Sequence, residues 1–482
     1  MNKLLLPLLG ALALAACAVG PDYRTPNTPP AAVKNAAGPE FITQTPEAEW
    51  WQEFADPELE ALERRALAAN LDLEMAYDRV KAARAVFVER NLDYAPHVQL
   101  DAGYSNGDEQ QPGFGTQRYK TPSDSLGFDA SWEIDLFGHV RRSVEAARAD
   151  LGAERASYED AQVTVAAEVA RNYFELRGAQ KRLDVARKNL DSERQTLDLT
   201  QLLDQAGRGS ELDVERSRAR FKATESAIPP LEAAERQAGY RLAVLLGQRP
   251  GTLDEELKAA PVMTYAKPLP VGDLAGLLRQ RPDVRAAEQQ LAAATARVGV
   301  AKADLFPRLN VTGFVGFLSG DIGRLFNTSS GTDARAWSVA PTLSWPAFDL
   351  GSVRARLRES EAQSDATAAN YEKTVLMALE DTENSFVAYS THQAQLKSLV
   401  EQATASRRAA ELADTQYRDG VADFLVLLDA ERTQLDAEDA VAQAETEVNV
   451  SVVAIYKALG GVGQRLDDGS DDAARTRVAR VR

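Results

Sequence analysis

The feature that most constrains this chain is the stretch Ser352–Asp419, which contains neither glycine nor proline. It is rich in Ala, Glu, Gln, Arg and Leu, which lose little rotamer freedom in a helix. One uninterrupted helix of that extent would reach roughly 100 Å, at about 1.5 Å per residue. No compact core can cover such a helix. Its apolar residues, Val353, Leu357, Val375, Leu379, Phe386, Val400 and Leu412, form a thin stripe with many Ala between them. That stripe suits helices packed side by side along a long seam. Periodicity alone fits an isolated coiled coil equally well.

The stretch has a counterpart. His139–Ala206 is a run of equal length, free of proline and interrupted only by Gly152 and Gly178. A Trp-led segment precedes each run, Trp132–Gly138 and Trp345–Gly351, and the two Trp lie 213 positions apart. The same offset of 213 separates Gly207 from Gly420, where the runs end, and Leu246-Gly247 from Leu459-Gly460. With Gly138 and Gly351 also 213 apart, a shared offset at four landmarks marks an internal duplication of roughly 210 residues.

Ahead of each long run the hydrophobic period changes to two. Val98, Leu100, Ala102 and Tyr104 alternate with polar or tiny residues, as do Leu126, Phe128, Ala130, Trp132 and Ile134. In the second copy the apolar sets are Leu309, Val311, Gly313, Val315, Phe317 and Trp337, Val339, Pro341, Leu343, Trp345. Strands of about nine residues cross a bilayer when tilted. Apolar on one face and aromatic near the ends, they read as barrel strands of an outer membrane. Soluble sandwich strands would show the same alternation against a core. Phe314 and Pro341 break the pattern. The connections Asn106–Ser125 and Ser319–Arg335 read as outside loops. Four strands cannot close a barrel, and an open edge in lipid is not tolerated. The chain must therefore pair with copies of itself, as a dimer with eight strands or a trimer with twelve.

The start of the chain names a compartment. Lys3 and the apolar run Leu4–Ala13 precede Leu14-Ala15-Ala16-Cys17, which reads as a lipoprotein signal at 1–16 with lipidation at Cys17, the only cysteine. The run is too short to span a bilayer. Ala18, rather than Asp, follows Cys17, which favours sorting to the outer membrane. Prolines at 21, 26, 29, 30, 39 and 46 then suggest an extended tether. Asp56-Pro57 opens a helix to about Asp93. The net charge of −17 carries no basic block and disfavours nucleic acid as a partner.

The lipobox, the Val19–Tyr23 start, Trp50-Trp51, the paired strands and the duplication together resemble the TolC-like outer-membrane factors. The resemblance is closest to their lipoprotein (NodT-like) subfamily serving RND-type multidrug efflux, and it covers the chain to about Gly463. It implies a mixed α/β membrane protein in which a homotrimeric twelve-stranded β-barrel, four strands per chain, continues into a periplasmic α-helical barrel. It selects the trimer where strand arithmetic does not. An equatorial belt would include the tether at 17–55, the proline-bearing linker at 248–272 and the C-terminal residues. The repeats would occupy 56–247 and 273–463, and residues 464–482 a charged, disordered tail.

By the same resemblance, the turns at Gly207, Gly209, Gly420 and Val421 form a periplasmic tip that docks an adaptor protein, itself linked to an inner-membrane RND-type transporter. The tip also holds the gate. Asp429 matches an acidic gate position nine residues after Gly420, Tyr417 matches the gate tyrosine, and Asp213 matches the carboxylate that accepts its hydrogen bond. Val426 and Ala422 depart from the family pattern, which puts a double carboxylate ring in doubt. Three Asp429 carboxylates around a narrow pore would admit cations and resist anions.

Nothing in the sequence suggests catalysis or a cofactor. His97, His139 and His392 lack metal-type spacing and read as surface residues, and Gly460-Gly461-Val462-Gly463 lacks the Lys-Ser/Thr of a phosphate loop. A pore-less coiled-coil tether would not need Phe128, Trp132, Trp337 and Trp345 facing lipid. A duct for type I secretion or metal efflux stays open beside drug efflux.

Overall fold

The computed structural model describes residues 18–26, 33–36, 38–44, 49–110, 118–261, 264–265, 267–272, 276–329 and 333–461. Cys17, the signal segment and the charged tail lie outside these. Helices α1 (Pro57–Ala69) and α2 (Leu71–Leu92) lead into strands β1 (His97–Gln110) and β2 (Arg118–Ile134). The long helix α3 (His139–Gln205) and its return α4 (Glu211–Leu245) follow. A second round brings α5 (Pro282–Ala303), β3 (Arg308–Ser319), β4 (Arg335–Ser344), α6 (Leu350–Arg418) and α7 (Phe424–Ala458). Helices α4 and α7 are both 35 residues long and begin 213 positions apart, at Glu211 and Phe424. None of the described helices is long and apolar enough to cross a membrane.

The chain packs as two compact units, each drawn from both halves of the sequence. One contains Arg79–Glu154, Ala286–Glu372 and the N-terminal stretch. Its centre is an antiparallel sheet in the order β1-β2-β3-β4. Register assembles the alternating residues into rows: Leu100 pairs with Phe128, Phe128 with Val315, and Val315 with Trp337. The polar face does the same, with Gln99, Asp129, Phe314 and Ser338 in one row. Among the described residues the apolar face is bare: Trp337 is 79% exposed, Leu100 64% and Leu343 66%.

The first hairpin is longer than its apolar alternation. Strands β1 and β2 have 14 and 17 residues, so the segment read as a loop from Asn106 to Ser125 is largely ladder, with Gly107 opposite Thr121 and Asp108 opposite Lys120. Backbone pairing needs register, not an apolar face, so it continues where both faces are polar. The two breaks in the pattern also resolve. Pro341 stands on β4, the outer strand of the sheet in the chain, opposite Val311. Phe314 lies across Gly127, where a Cβ would meet its ring at 2.5 Å, so an aromatic covers a strand glycine.

The duplicated tryptophans have matching tasks. The indole N–H of Trp132 donates to the carbonyl of Tyr94 at 3.1 Å, and that of Trp345 to the carbonyl of Leu305 at 3.0 Å. Each satisfies a backbone carbonyl just past the end of the preceding helix. His139, read from sequence as a surface residue, is half-buried instead, 3.2 Å from Glu133 and 2.9 Å from Arg308. His392 likewise meets the Ser451 hydroxyl at 2.6 Å. His97 stays exposed, 3.1 Å from Asp93.

The N-terminal stretch straps this unit. Val19 N–H donates to the Phe137 carbonyl at 3.0 Å. The buried Arg142 donates to the Val19 carbonyl at 3.3 Å and to Asp22 at 2.6 Å, and the Tyr23 hydroxyl donates to Glu288 at 3.1 Å. Gly20 has φ +106°, and a Cβ there would stand 2.5 Å from the Cα of Gly299. Backbone meets backbone, so only glycine fits.

The second unit holds the aromatic core. Trp50, Trp51 and Phe54 are buried on one 3₁₀ turn. The Trp50 ring stacks on Tyr456 at 5.0 Å, and Phe54 packs on Phe174 at 4.7 Å and on Tyr265 at 5.5 Å. A two-residue parallel bridge joins Phe41-Ile42 to Leu269-Pro270, so the N-terminal stretch and the inter-repeat segment close over the core together. Asp56 caps α1 by accepting from the N–H groups of Glu58 and Leu59, a contribution of about 1 kcal/mol. Arg177 is fully enclosed, 2.5 Å from Glu58 and donating to the Lys258 carbonyl at 2.6 Å. Glu63 is also fully buried, its carboxyl set against the backbone of Ala170. Burial pushes its pKa well above the carboxylate range.

Candidate functional site

Helices α3 and α6 end in the same way. Gly207 and Gly420 take φ +70° and +72°, a left-handed conformation that other residues resist. The N–H of Arg208 returns to the Leu203 carbonyl, and that of Val421 to the Gln416 carbonyl, both at 2.8 Å. These bonds satisfy carbonyls that a helix end leaves open. A Cβ on either glycine would meet nothing within 4 Å, so backbone conformation alone demands them. Gly209 is needed for the opposite reason, because a Cβ there would lie 2.9 Å from the backbone nitrogen of Asp204. Val421 stands 77% exposed at the second turn.

The return helices start at equivalent places in the two repeats but with different caps. Ser210 caps α4: its Oγ accepts from Asp213 N–H at 3.2 Å and donates to the Asp213 carboxylate at 2.7 Å. Asp423 precedes α7 without a side-chain cap bond. The Tyr417 ring packs on Phe424 at 5.6 Å across the Gly420 turn. Burial, and secondarily the charge of Asp213, raise the pKa of its hydroxyl.

Tyr417 and Asp213 are thus brought within electrostatic reach, but the hydrogen bond expected between them is not formed here. Asp213 is held by Ser210, with Arg216 3.8 Å away. A carboxylate at the first turn of its own helix finds its nearest donors locally, and that competition decides the geometry. Asp429 stands apart from both. It is exposed on α7, where Arg432 donates to its Oδ1 at 2.8 Å. Arg432 lies one turn along the same face, an i,i+3 spacing legible in the sequence. Between α6 and α7 runs a groove lined by Ala409, Leu412, Ala413, Leu425, Val426 and Asp429. The missing second carboxylate at Val426 therefore leaves an apolar wall beside Asp429. Among the described residues no cluster of His, Cys, Asp and Glu stands ready to hold a metal ion.

A family model described as outer membrane efflux protein matches residues 62–248 and again 274–461. The chain is 29% identical to Nodulation protein T of Rhizobium leguminosarum bv. trifolii, over 94% of this chain and 97% of that one. It is 31% identical to a probable efflux pump outer membrane protein, TtgC, of Pseudomonas putida, over 96% of each. Among solved structures, the outer-membrane channel OprN superposes with a TM-score of 0.89 at 48% identity, covering 92% of this chain and 99% of that one. The open state of the Neisseria gonorrhoeae MtrE outer membrane channel gives 0.80 at 29% identity, covering 93% and 99%.

Proposed function

Because the chain belongs to the outer membrane efflux protein family, matched over both of its halves, we propose that it is the exit duct of a tripartite efflux pump that sends drugs or other small molecules out of the cell. It is an outer-membrane efflux channel, and its relatives are named as pump components. The observation that carries the reading is the bare apolar face of the sheet. Leu100, Phe128, Val315 and Trp337 form one continuous row across all four strands, and it stands exposed among the described residues. Lipid does so at the least cost.

In this reading three chains close a twelve-stranded barrel, since β1 and β4 each leave an edge that lipid does not permit. The twelve long helices continue it as a periplasmic tube. Acyl chains on Cys17 add a second attachment to the outer membrane, after removal of residues 1–16. The two repeats, 56–247 and 273–463, supply equivalent staves, and the segments at 17–55 and 248–272 girdle them. The turns at Gly207, Gly209, Gly420 and Val421 meet the periplasmic adaptor, which bridges to an inner-membrane RND-type transporter. Asp429, Tyr417 and Asp213 form the gate. The duct performs no chemistry of its own, and the cargo is chosen upstream.

Single-channel recording in planar bilayers tests this, with the native protein beside Asp429→Asn. A small cation-selective conductance whose selectivity falls in the variant is expected. Selectivity indifferent to Asp429 would remove it from the filter. Silence from a membrane-inserted trimer, persisting in Tyr417→Phe combined with Asp213→Ala, would remove the duct itself.

A further inference from the structure

Close along the chain to the candidate gate residues, four helices bring ionisable groups together. Glu193 on α3 has a side chain only 4% exposed. Its Oε1 accepts from Arg220 of α4 at 2.8 Å, and the Thr224 hydroxyl, also on α4, favours its charged form. Glu431, half-buried on α7, accepts from the Thr196 hydroxyl of α3 at 3.0 Å. Asp414 of α6, paired to Arg418 at 2.8 Å, adds a further negative charge felt by Glu431. The groups facing Glu431 are therefore Glu193 and Thr196 from α3, Arg220 from α4 and Asp414 from α6. Two of the three carboxyl groups, Glu193 and Glu431, are withdrawn from solvent, while Asp414, paired to Arg418, is 41% exposed.

Such a set cannot hold every charge at once. Burial is the main influence on Glu431, and the charges of Glu193 and Asp414 add to it. Together they outweigh Thr196 and Arg220 and push it up to about 7. Burial raises Glu193 too. Glu431 lies two residues beyond Asp429 on the same helix, so one short segment carries the exposed carboxylate outward and the enclosed one inward. Seven residues before Glu431, Phe424 holds the Tyr417 ring. Any loosening of α7 against α3 is felt at both.

We propose that Glu193 and Glu431 are positioning residues for the gate, whose protonation sets how tightly α7 packs against α3, so that acid holds the turns closed and neutral pH loosens them. This rests on the reading of the turns as a gate. The sign follows from linkage. Glu431 takes up its proton more readily when packed than when exposed, so packing is strongest below the ordinary carboxylate range near 4.5. It weakens as pH rises to about 7 and stays weak above that.

Hydrogen exchange followed by mass spectrometry on the full-length trimer in detergent tests this from pH 5 to 8, corrected for the intrinsic rate. Peptides spanning 203–210 and 416–424 should lose protection on the order of tenfold with rising pH in the native protein. Glu431→Gln, neutral at every pH, should keep the high protection throughout. Glu193→Gln removes a repelling charge and should move the fall to lower pH. It decides the matter alone if Glu431→Gln is unprotected everywhere. A flat native profile, or a Glu431→Gln profile that follows the native one, overturns the inference and leaves the duct intact. Protection that falls as expected while bilayer conductance ignores pH sinks the gate assignment instead, and the inference with it.

Discussion

Replacing Gly420 with alanine isolates the energetics of one turn. The glycine sits at φ +72° with open space where a Cβ would stand, so alanine meets no clash and the penalty is purely conformational. Holding an L-residue in the left-handed region costs about 1–2 kcal/mol, which multiplies local opening by roughly 5 to 30. Asparagine tolerates that region better, so Gly420→Asn should recover a good part of the loss. Hydrogen exchange at the Val421 amide, which closes the turn onto Gln416, reads the effect directly. The loss should stay confined to that turn, with the Arg208 amide, bonded to Leu203, unchanged. Alanine as protected as glycine, or asparagine as poor as alanine, would refute the conformational account. Gly209→Ala gives the contrast: its Cβ would crowd backbone at 2.9 Å, and asparagine should rescue nothing there.

Two further substitutions probe the aromatic unit. Arg177→Met strands the Glu58 carboxylate, the Lys258 carbonyl and the Gln180 side chain that Arg177 now serves. It should cost about 2–4 kcal/mol, less than a fully enclosed pair because Glu58 is partly wet. Thermal unfolding should show the loss, and adding Glu58→Met should recover part of it; a double variant no better than the single would speak against the pairing. Glu63→Gln addresses the buried carboxyl. Burial raises the folded pKa of Glu63, so its contribution is complete below the unfolded value of about 4.3 and is lost as pH climbs through the folded one. The stability gained by glutamine should therefore grow with pH, followed by tryptophan fluorescence; a gain independent of pH would refute the assignment.

Much of this architecture is written openly in the chain. The period-two alternation gives the apolar rows because sheet register carries side-chain parity from strand to strand. The duplicated Leu-Gly and turn glycines locate the helix ends because a left-handed residue has few chemical solutions. The ends of the first hairpin are not written, since polar residues that pair well and polar residues in loops share a composition. Nor is the local capture of Asp213 by Ser210, which competes with Tyr417 in the other repeat and wins through proximity. Glu193 and Glu431 are hidden differently. They are two among 72 acidic residues, and only the phase of the packing seam separates an enclosed carboxyl from a wet one. Glu193 and Thr200 are both buried one heptad apart, a signal readable once that phase is known.

The strap from Val19 to Tyr23 bears on mechanics. Its polar contacts with Phe137, Arg142 and Glu288, and the backbone contact of Gly20 with Gly299, begin two residues after Cys17. A lipid held at Cys17 would therefore pull on a seated segment rather than on slack chain. Tension between the bilayer and the helices would load the joint between β2 and α3, where Phe137 and Gly138 sit, before it reached the proline-rich stretch beyond. An anchor wired this way would act as a strut, and lengthening the chain between Cys17 and Val19 would then uncouple membrane movement from the fold while leaving both intact.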